Sequence, residues 1–300
     1  MHAVGNPISM ILNRELGFST GPAWTQAEIE AAKAFYGLDK PIWEQYFISL
    51  TNIFRGDFGR SFYSGRNVVD IIMDKLPATI VLQLASQILS LSIAIPAGIY
   101  AAMHQYKKRD FAIVTFTLFG ISFPYFWFAL LMIVFFAGIL GWFPAVGIIS
   151  IGEPIFGSTI LDIIWHMILP LGVMTFSSLA LTLRVMRQGM LEVIKEDYVI
   201  AARSLGLTER TVILKHALRN AITPIITSFG WLLASIVGGS AVTETIFGWP
   251  GMGRLFVSTL SSMDFPVVTG IVTITAILIL GGNLFADILY SVVDPRIALE

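Results

Sequence analysis

The chain has 300 residues, 55% of them hydrophobic and only 13% charged, with a net charge of −1. Soluble domains carry about 25% charged residues, so this composition excludes an ordinary water-facing surface, and the charge balance gives no sign of a nucleic-acid partner. The absence of cysteine removes disulfides, thiol catalysis and cysteine-held metals.

A lipid-facing surface resolves the shortage of charge. In chain order, residues 1–75 read as an extracytoplasmic helical segment. Thr25 with Glu28 forms a capping box for one helix, and Gly37 stops it. Pro41 suits the first turn of a second helix that ends near Gly56, and residues 67–76 read as a short helix leading into the membrane. No basic stretch followed by an apolar run, the pattern of a cleavable signal, stands at Met1.

A hydrocarbon core about 30 Å thick needs roughly 20 apolar helical residues. Residues 76–103, 111–140, 163–185, 221–242 and 267–290 meet that need, within a membrane-spanning region of 76–290 followed by a tail at 291–300. Lys107, Lys108 and Arg109 follow the first span. Arg184, Arg187, Lys195, Arg203, Arg210, Lys215 and Arg219 crowd the stretch between the third and fourth. The opposite loops, 141–162 and 244–266, hold only Arg254. By the positive-inside rule the basic loops and the C-terminus are cytoplasmic.

Polar residues inside the spans are open to two readings. Gln83 and Gln87 share one helix face and either line a pathway or bond a neighbouring helix. Pro96 and Pro124 are packing kinks or shape a route. His166, near an outer helix end, reads as packed more readily than as a proton relay, and Asp287 as a cap near the cytoplasmic end. Gly238-Gly239-Ser240 has the outline of a serine nucleophile with His166 as base, yet small residues in a span serve close packing. A secondary transporter is the other alternative; it would show repeated halves, and the sequence has no internal repeat.

The cytoplasmic loop 187–220 is too long for a plain connector. Ala201 and Ala202, a stop at Gly206, Thr208 as a new N-cap and apolar Val212, Ile213 and Leu218 predict two short helices at the membrane surface. They are either interfacial or a peg for a cytoplasmic partner.

Ala201-Ala202-x-x-x-Gly206 resembles the coupling motif of ABC importer permeases, and the wider stretch 197–223 resembles the dipeptide/oligopeptide/nickel permease family, of the B type. Gly37-Leu-Asp-Lys-Pro41 with Gln45-Tyr46, Gly56-Asp-Phe-Gly59-x-Ser61, Leu76-Pro-Ala-Thr79, Ser122-Phe-Pro124, Thr243-Glu-Thr-Ile-Phe247 with Trp249-Pro250-Gly251-x-Gly253, Asp264-Phe-Pro266, Asn283-Leu-Phe-Ala-Asp287 and Asp294-Pro-Arg296 extend the match along nearly the whole chain. Two departures stand out. Ile200 occupies a position that is Glu in the classical motif. Val4-Gly-Asn-Pro7 follows Met1 almost at once, where family members have a membrane helix first, so six spans are expected in the complete protein against five visible here.

The resemblance implies an all-α helix bundle that forms the path for di- or oligopeptides or a related solute, itself not an enzyme. It implies a second homologous permease, two ATP-binding subunits that use ATP and Mg, and an extracytoplasmic solute-binding protein; this chain, without a Gly-Lys-Ser/Thr phosphate loop, holds no cofactor. Coupling to the ATP-binding subunit falls on Asp197, Ala201, Ala202, Arg203, Ser204, Leu205, Gly206 and Glu209, with the charged residues as rim pairs to the partner. Pathway or gate positions are Gln83, Gln87, Ser122, Pro124, Glu244, Trp249, Pro250 and Gly251, the last four in an outer vestibule loop.

Overall fold

A computed structural model of the protein describes Glu30 and residues 40–155, 157–227 and 239–293, with the side chains of 286, 287 and 289–293 outside that description. The order is α1 (Ile42–Phe54), α2 (Val68–Met103), α3 (Lys108–Ser122), α4 (Tyr125–Met132) running into a π-helical segment (Ile133–Ile139), and α5 (Thr159–Val193). Next come α6 (Asp197–Ser204), α7 (Glu209–Thr211) running through a second π-helical segment (Val212–Ala217) into α8 (Leu218–Ala221), and α9 (Thr223–Thr227). α10 (Ala241–Ile246), α11 (Met252–Ser261) and α12 (Phe265–Val293) complete the set. The described residues are all-α; their isolated β-bridge joins Arg60 to Asn67.

α2, α5 and the stretch Phe265–Phe285 of α12 are long and apolar enough to cross a membrane. The span expected over 111–140, interrupted at Ser122-Phe123-Pro124, is two helices bent by 100°. The cause is local. Phe123, ahead of Pro124, is held extended at φ −79° and ψ 133°, as a pre-proline residue prefers, and Pro124 starts α4 afresh. The short helix expected at 67–76 is fused with the first span, so α2 runs 36 residues through Pro77 and Pro96. At 1.5 Å per residue it is about 54 Å long, well beyond the roughly 30 Å a bilayer core requires. Pro41 precedes α1, and Gly56 turns the chain after it at φ +77°, as the sequence predicts.

The bundle centres on α2 against α5. Ser86, Ser90, Ala94, Gly98 and Ala102 recur along the buried side of α2 at four-residue spacing, the periodicity of one helix face. A Cβ on Gly98 would lie 2.7 Å from Cβ of Met186, so the two backbones approach as closely as small residues permit. Both basic stretches meet at one end. There Arg187 forks onto Asp110, Nε to Oδ1 at 2.7 Å and Nη2 to Oδ2 at 2.8 Å. The loops poor in positive charge meet at the other end, where the amide of Gly147 donates to the carbonyl of Phe247 at 2.9 Å. The capping box at Thr25 and Glu28, the stop at Gly37, residues 228–238 of the fourth expected span and residues 294–300 lie outside the described residues, as does the side chain of Asp287.

Candidate functional site

At the basic end, Asp197 opens α6 and places a carboxylate at the positive end of the helix dipole. Val199 and Ala202 turn inward onto Met186, Met190, Val212, Ala217 and Ala221. Ile200, Ala201, Ser204 and Leu205 face outward, Leu205 with 80% of its surface exposed. The helix ends where Gly206 takes φ +77°, a left-handed conformation in which a side chain is strained. Nothing lies within 4 Å of where its Cβ would be, so glycine here serves the turn and leaves open space beside it. Thr208 then stands at the N-cap position of α7, its hydroxyl 2.9 Å from that of Thr211.

Two of the sequence-predicted loop residues play a different part from the one expected. Ala202 is packed into this chain's own core, because one face of a two-turn helix must cover Met186 and Met190. Arg203 is already paired within the chain: its Nη2 donates to Oε1 of Glu209 at 2.8 Å and its Nε to Oε2 at 3.2 Å. That carboxylate holds the Arg203 guanidinium above its ordinary pKa. The pair bridges α6 to α7 across the Gly206 turn, and Asn220 donates to the Tyr198 hydroxyl at 2.8 Å, tying α6 to α8. The loop is therefore braced from behind and bare in front.

The opposite end holds a different construction. Glu244, expected in an open vestibule, is 1% exposed. Its Oε1 accepts from the Thr79 hydroxyl at 3.0 Å and its Oε2 from the amide of Arg254 at 3.0 Å. Thr79 Oγ1 also accepts the amide of Met252 at 2.7 Å, so one threonine of α2 anchors both α10 and α11. Burial raises the Glu244 carboxyl above the usual carboxylate range, against the opposing pull of those donors. Trp249 is fully buried, and its indole Nε1 donates to the carbonyl of Ala78 at 2.9 Å. A Cβ on Gly251 would run into the Thr79 hydroxyl and the Glu244 carboxylate, and one on Gly253 would sit 2.5 Å from the amide nitrogen of Ala241. Pro250 is partly buried within the same turn.

The remaining pathway candidates divide. Gln83 is buried and Gln87 half-buried, four residues apart on α2. Ser122 and Pro124 flank the 100° bend and are exposed. Tyr125, directly after the bend, hydrogen-bonds Thr243 beside Glu244, so the bend is pinned to the locked turn. Ser240 is the N-cap of α10, accepting from the amide of Thr243, and His166 has its Nδ1 2.9 Å from the carbonyl of Asp162. The serine and the histidine thus occupy separate hydrogen-bonded settings. Among the described residues no group of three His, Asp or Glu could hold a metal.

Three pairings escaped sequence reasoning. Asp110 with Arg187 joins positions 77 apart. Asp162 accepts from the Ser150 amide at 2.7 Å and hydroxyl at 2.9 Å. Asp264 accepts from the hydroxyl of Ser61 and, at 2.9 Å, from the amide of Phe62, clasping the segment after α1 to the start of α12. The readable signal was the rarity of acidic residues in so apolar a chain, since a buried carboxylate demands donors.

A braced coupling-type loop at one end of an apolar bundle and a locked turn at the other are features that known proteins can test. The family "Binding-protein-dependent transport system inner membrane component" matches residues 94–299. The chain belongs to this family. Among curated relatives it is 41% identical over 296 residues to the oligopeptide transport system permease protein AppB of Bacillus subtilis, covering 98% of this chain and 90% of that one. It is 37% identical over 279 residues to the dipeptide transport system permease protein DppB of Escherichia coli, covering 87% and 82%. Two inward-facing crystal forms of the MetNI methionine ABC transporter share the fold at TM-scores of 0.59 and 0.58, with 16% and 17% identity, covering 75% and 74% of this chain and 97% and 96% of theirs. This inner-membrane component is thus a multi-pass helical membrane protein of a transport system, built like the transmembrane subunits of ABC importers.

Proposed function

We propose that this chain is the B-type permease of an ABC importer and forms, with a second homologous permease, the path for di- or oligopeptides. The outward face of α6, with Ile200, Ala201, Ser204 and Leu205 bare beside the open Gly206 turn, carries the reading. An exposed apolar face on a helix braced from behind is suited to seat in a partner's groove and pass displacement into α5. Two ATP-binding subunits supply ATP and Mg chemistry from the cytoplasmic side, where the C-terminus also lies, and an extracytoplasmic binding protein delivers the solute. Peptides are favoured as substrate by the oligopeptide and dipeptide permeases among the relatives.

The chain has no cysteine, so a single Ser204→Cys is a clean crosslinking site. In native membranes it should capture an ATP-binding subunit, and the purified complex should hydrolyse ATP faster when binding protein and peptide are added. Labelling of the introduced thiol from the cytoplasmic side with no ATP-binding subunit captured would overturn the coupling assignment. Uptake that is indifferent to peptides would overturn the substrate class alone.

A further inference from the structure

On α1 the ordinary arrangement of a helix against its protein is reversed. At 100° per residue, Ile42, Ile53, Tyr46, Leu50, Trp43, Phe54 and Phe47 fall on one arc, and Glu44, Asn52, Gln45 and Ser49 fall on the other with Ile48 among them. A water-bathed helix turns its apolar arc to the core. Here Gln45, Ser49 and Asn52, together with Ile48 and Ile53, line a cleft against Pro266, Thr269 and Gly270 of α12. Trp43, Tyr46, Phe47 and Phe54 point away and are 66%, 62%, 60% and 83% exposed. The helix also carries little charge, since Glu44 is its lone acid and is paired with Lys40 at 3.0 Å.

Depth along the membrane follows from α12. The helix starts at Phe265, at the end of the loop poor in positive charge, and from there it is long and apolar enough to cross a hydrocarbon core of about 30 Å. Pro266, Thr269 and Gly270 then occupy the first turns inside the outer boundary, and α1 packs beside them. Trp and Tyr concentrate at that boundary because their rings are apolar and their edges polar.

We propose that the aromatic face of α1 is embedded in the outer-leaflet interface, between the lipid headgroups and the acyl chains, so that the extracytoplasmic segment lies on the membrane. The polar face stays toward α12 and hydrates the cleft. The clasp of Asp264 on Ser61 and Phe62 limits how far α1 can rise from that level.

The test uses the assembled transporter in liposomes, with single cysteines introduced as Trp43→Cys, Phe47→Cys, Phe54→Cys and Ser49→Cys, each carrying a nitroxide. Collisions with oxygen, which concentrates in lipid, are compared with collisions with a water-soluble nickel chelate. Oxygen should dominate at 43, 47 and 54 and the chelate at 49. Chelate dominance at all four sites would overturn the proposal and leave the helix in water. Labels at 43, 47 and 54 shielded from both reagents would also overturn it and point to a protein neighbour, either the chain's own first 39 residues or the second permease. Phe54, at the end of α1 and the most exposed of the three, keeps the test decisive should Trp43→Cys fold poorly.

Discussion

The two ends of the bundle use the same residue types for opposite purposes. At the locked turn, Gly251 and Gly253 are glycines because atoms of Thr79, Glu244 and Ala241 fill the space where a Cβ would stand. At the coupling-type loop, Gly206 is a glycine because the backbone turns left-handed, with nothing around it. Carboxylates diverge in the same way: Glu244 is buried among donors from α2 and α11, whereas Glu209 is exposed and paired to a single arginine. One end is closed by contacts within the chain and the other leaves open space beside its turn, and a glycine in the sequence does not say which.

The sharpest way to break this contrast is Gly253→Ala. Its new Cβ meets backbone atoms that no rotamer change can clear, and a cost of about 3 kcal/mol is expected, seen as a lower melting temperature of the purified complex. Glu244→Ala comes next, at about 2 kcal/mol, because the Arg254 amide and the Thr79 hydroxyl lose a buried acceptor. Glu244→Gln should largely spare the fold, with its carbonyl on the Arg254 amide and its NH₂ donating to Thr79. The comparison with wild type then reports on the proton. Burial raises the folded carboxyl's pKa, so the stabilisation linked to the bound proton is complete below the unfolded value and is lost as pH rises through the folded value. The melting-temperature advantage of Glu244→Gln over wild type should therefore grow with rising pH; a constant difference would refute a raised pKa.

Gly206→Ala is expected to cost only about 1 kcal/mol, and locally. Its larger effect should be on ATP hydrolysis coupled to transport, with Gly206→Asn milder because asparagine tolerates the left-handed region. Smallest is Arg203→Ala, below about 1 kcal/mol and diminishing with salt, since the pair with Glu209 stands half in solvent. If Gly206→Ala lowered the melting temperature as much as Gly253→Ala, the distinction between the two ends would fail.

Sequence reading succeeded where the cause is local. Pro41 and Gly56 bound α1, and Gly206 and Thr208 separate α6 from α7, because φ preferences and caps act within a few residues. The apolar runs gave α2, α5 and α12 for the same reason. It faltered where the cause is distant. Thr79 and Glu244 are 165 positions apart, and nothing near either announces the contact. Ala201 and Ala202 look alike in the motif, yet they differ in environment because only one face of α6 covers Met186 and Met190. Pro77 disfavours a helix locally, yet it lies inside α2 without ending it. The 100° bend has its local cause in the extended Phe123 before Pro124, while the contact that fastens it, Tyr125 on Thr243, is 118 positions away and unannounced.

The π-helical segment after α4 has a consequence for how the chain tolerates changes in length. Its hydrogen bonds reach one residue further than those of an α-helix, as from the amide of Leu140 to the carbonyl of Phe135. Each such turn stores one residue more than α-helical winding needs. Removing a single residue between 133 and 139 lets the backbone rewind as α-helix while Phe128 and Phe143 keep their sides of the bundle. The same deletion within α2 would rotate everything beyond it by about 100° and carry the small-residue face off α5.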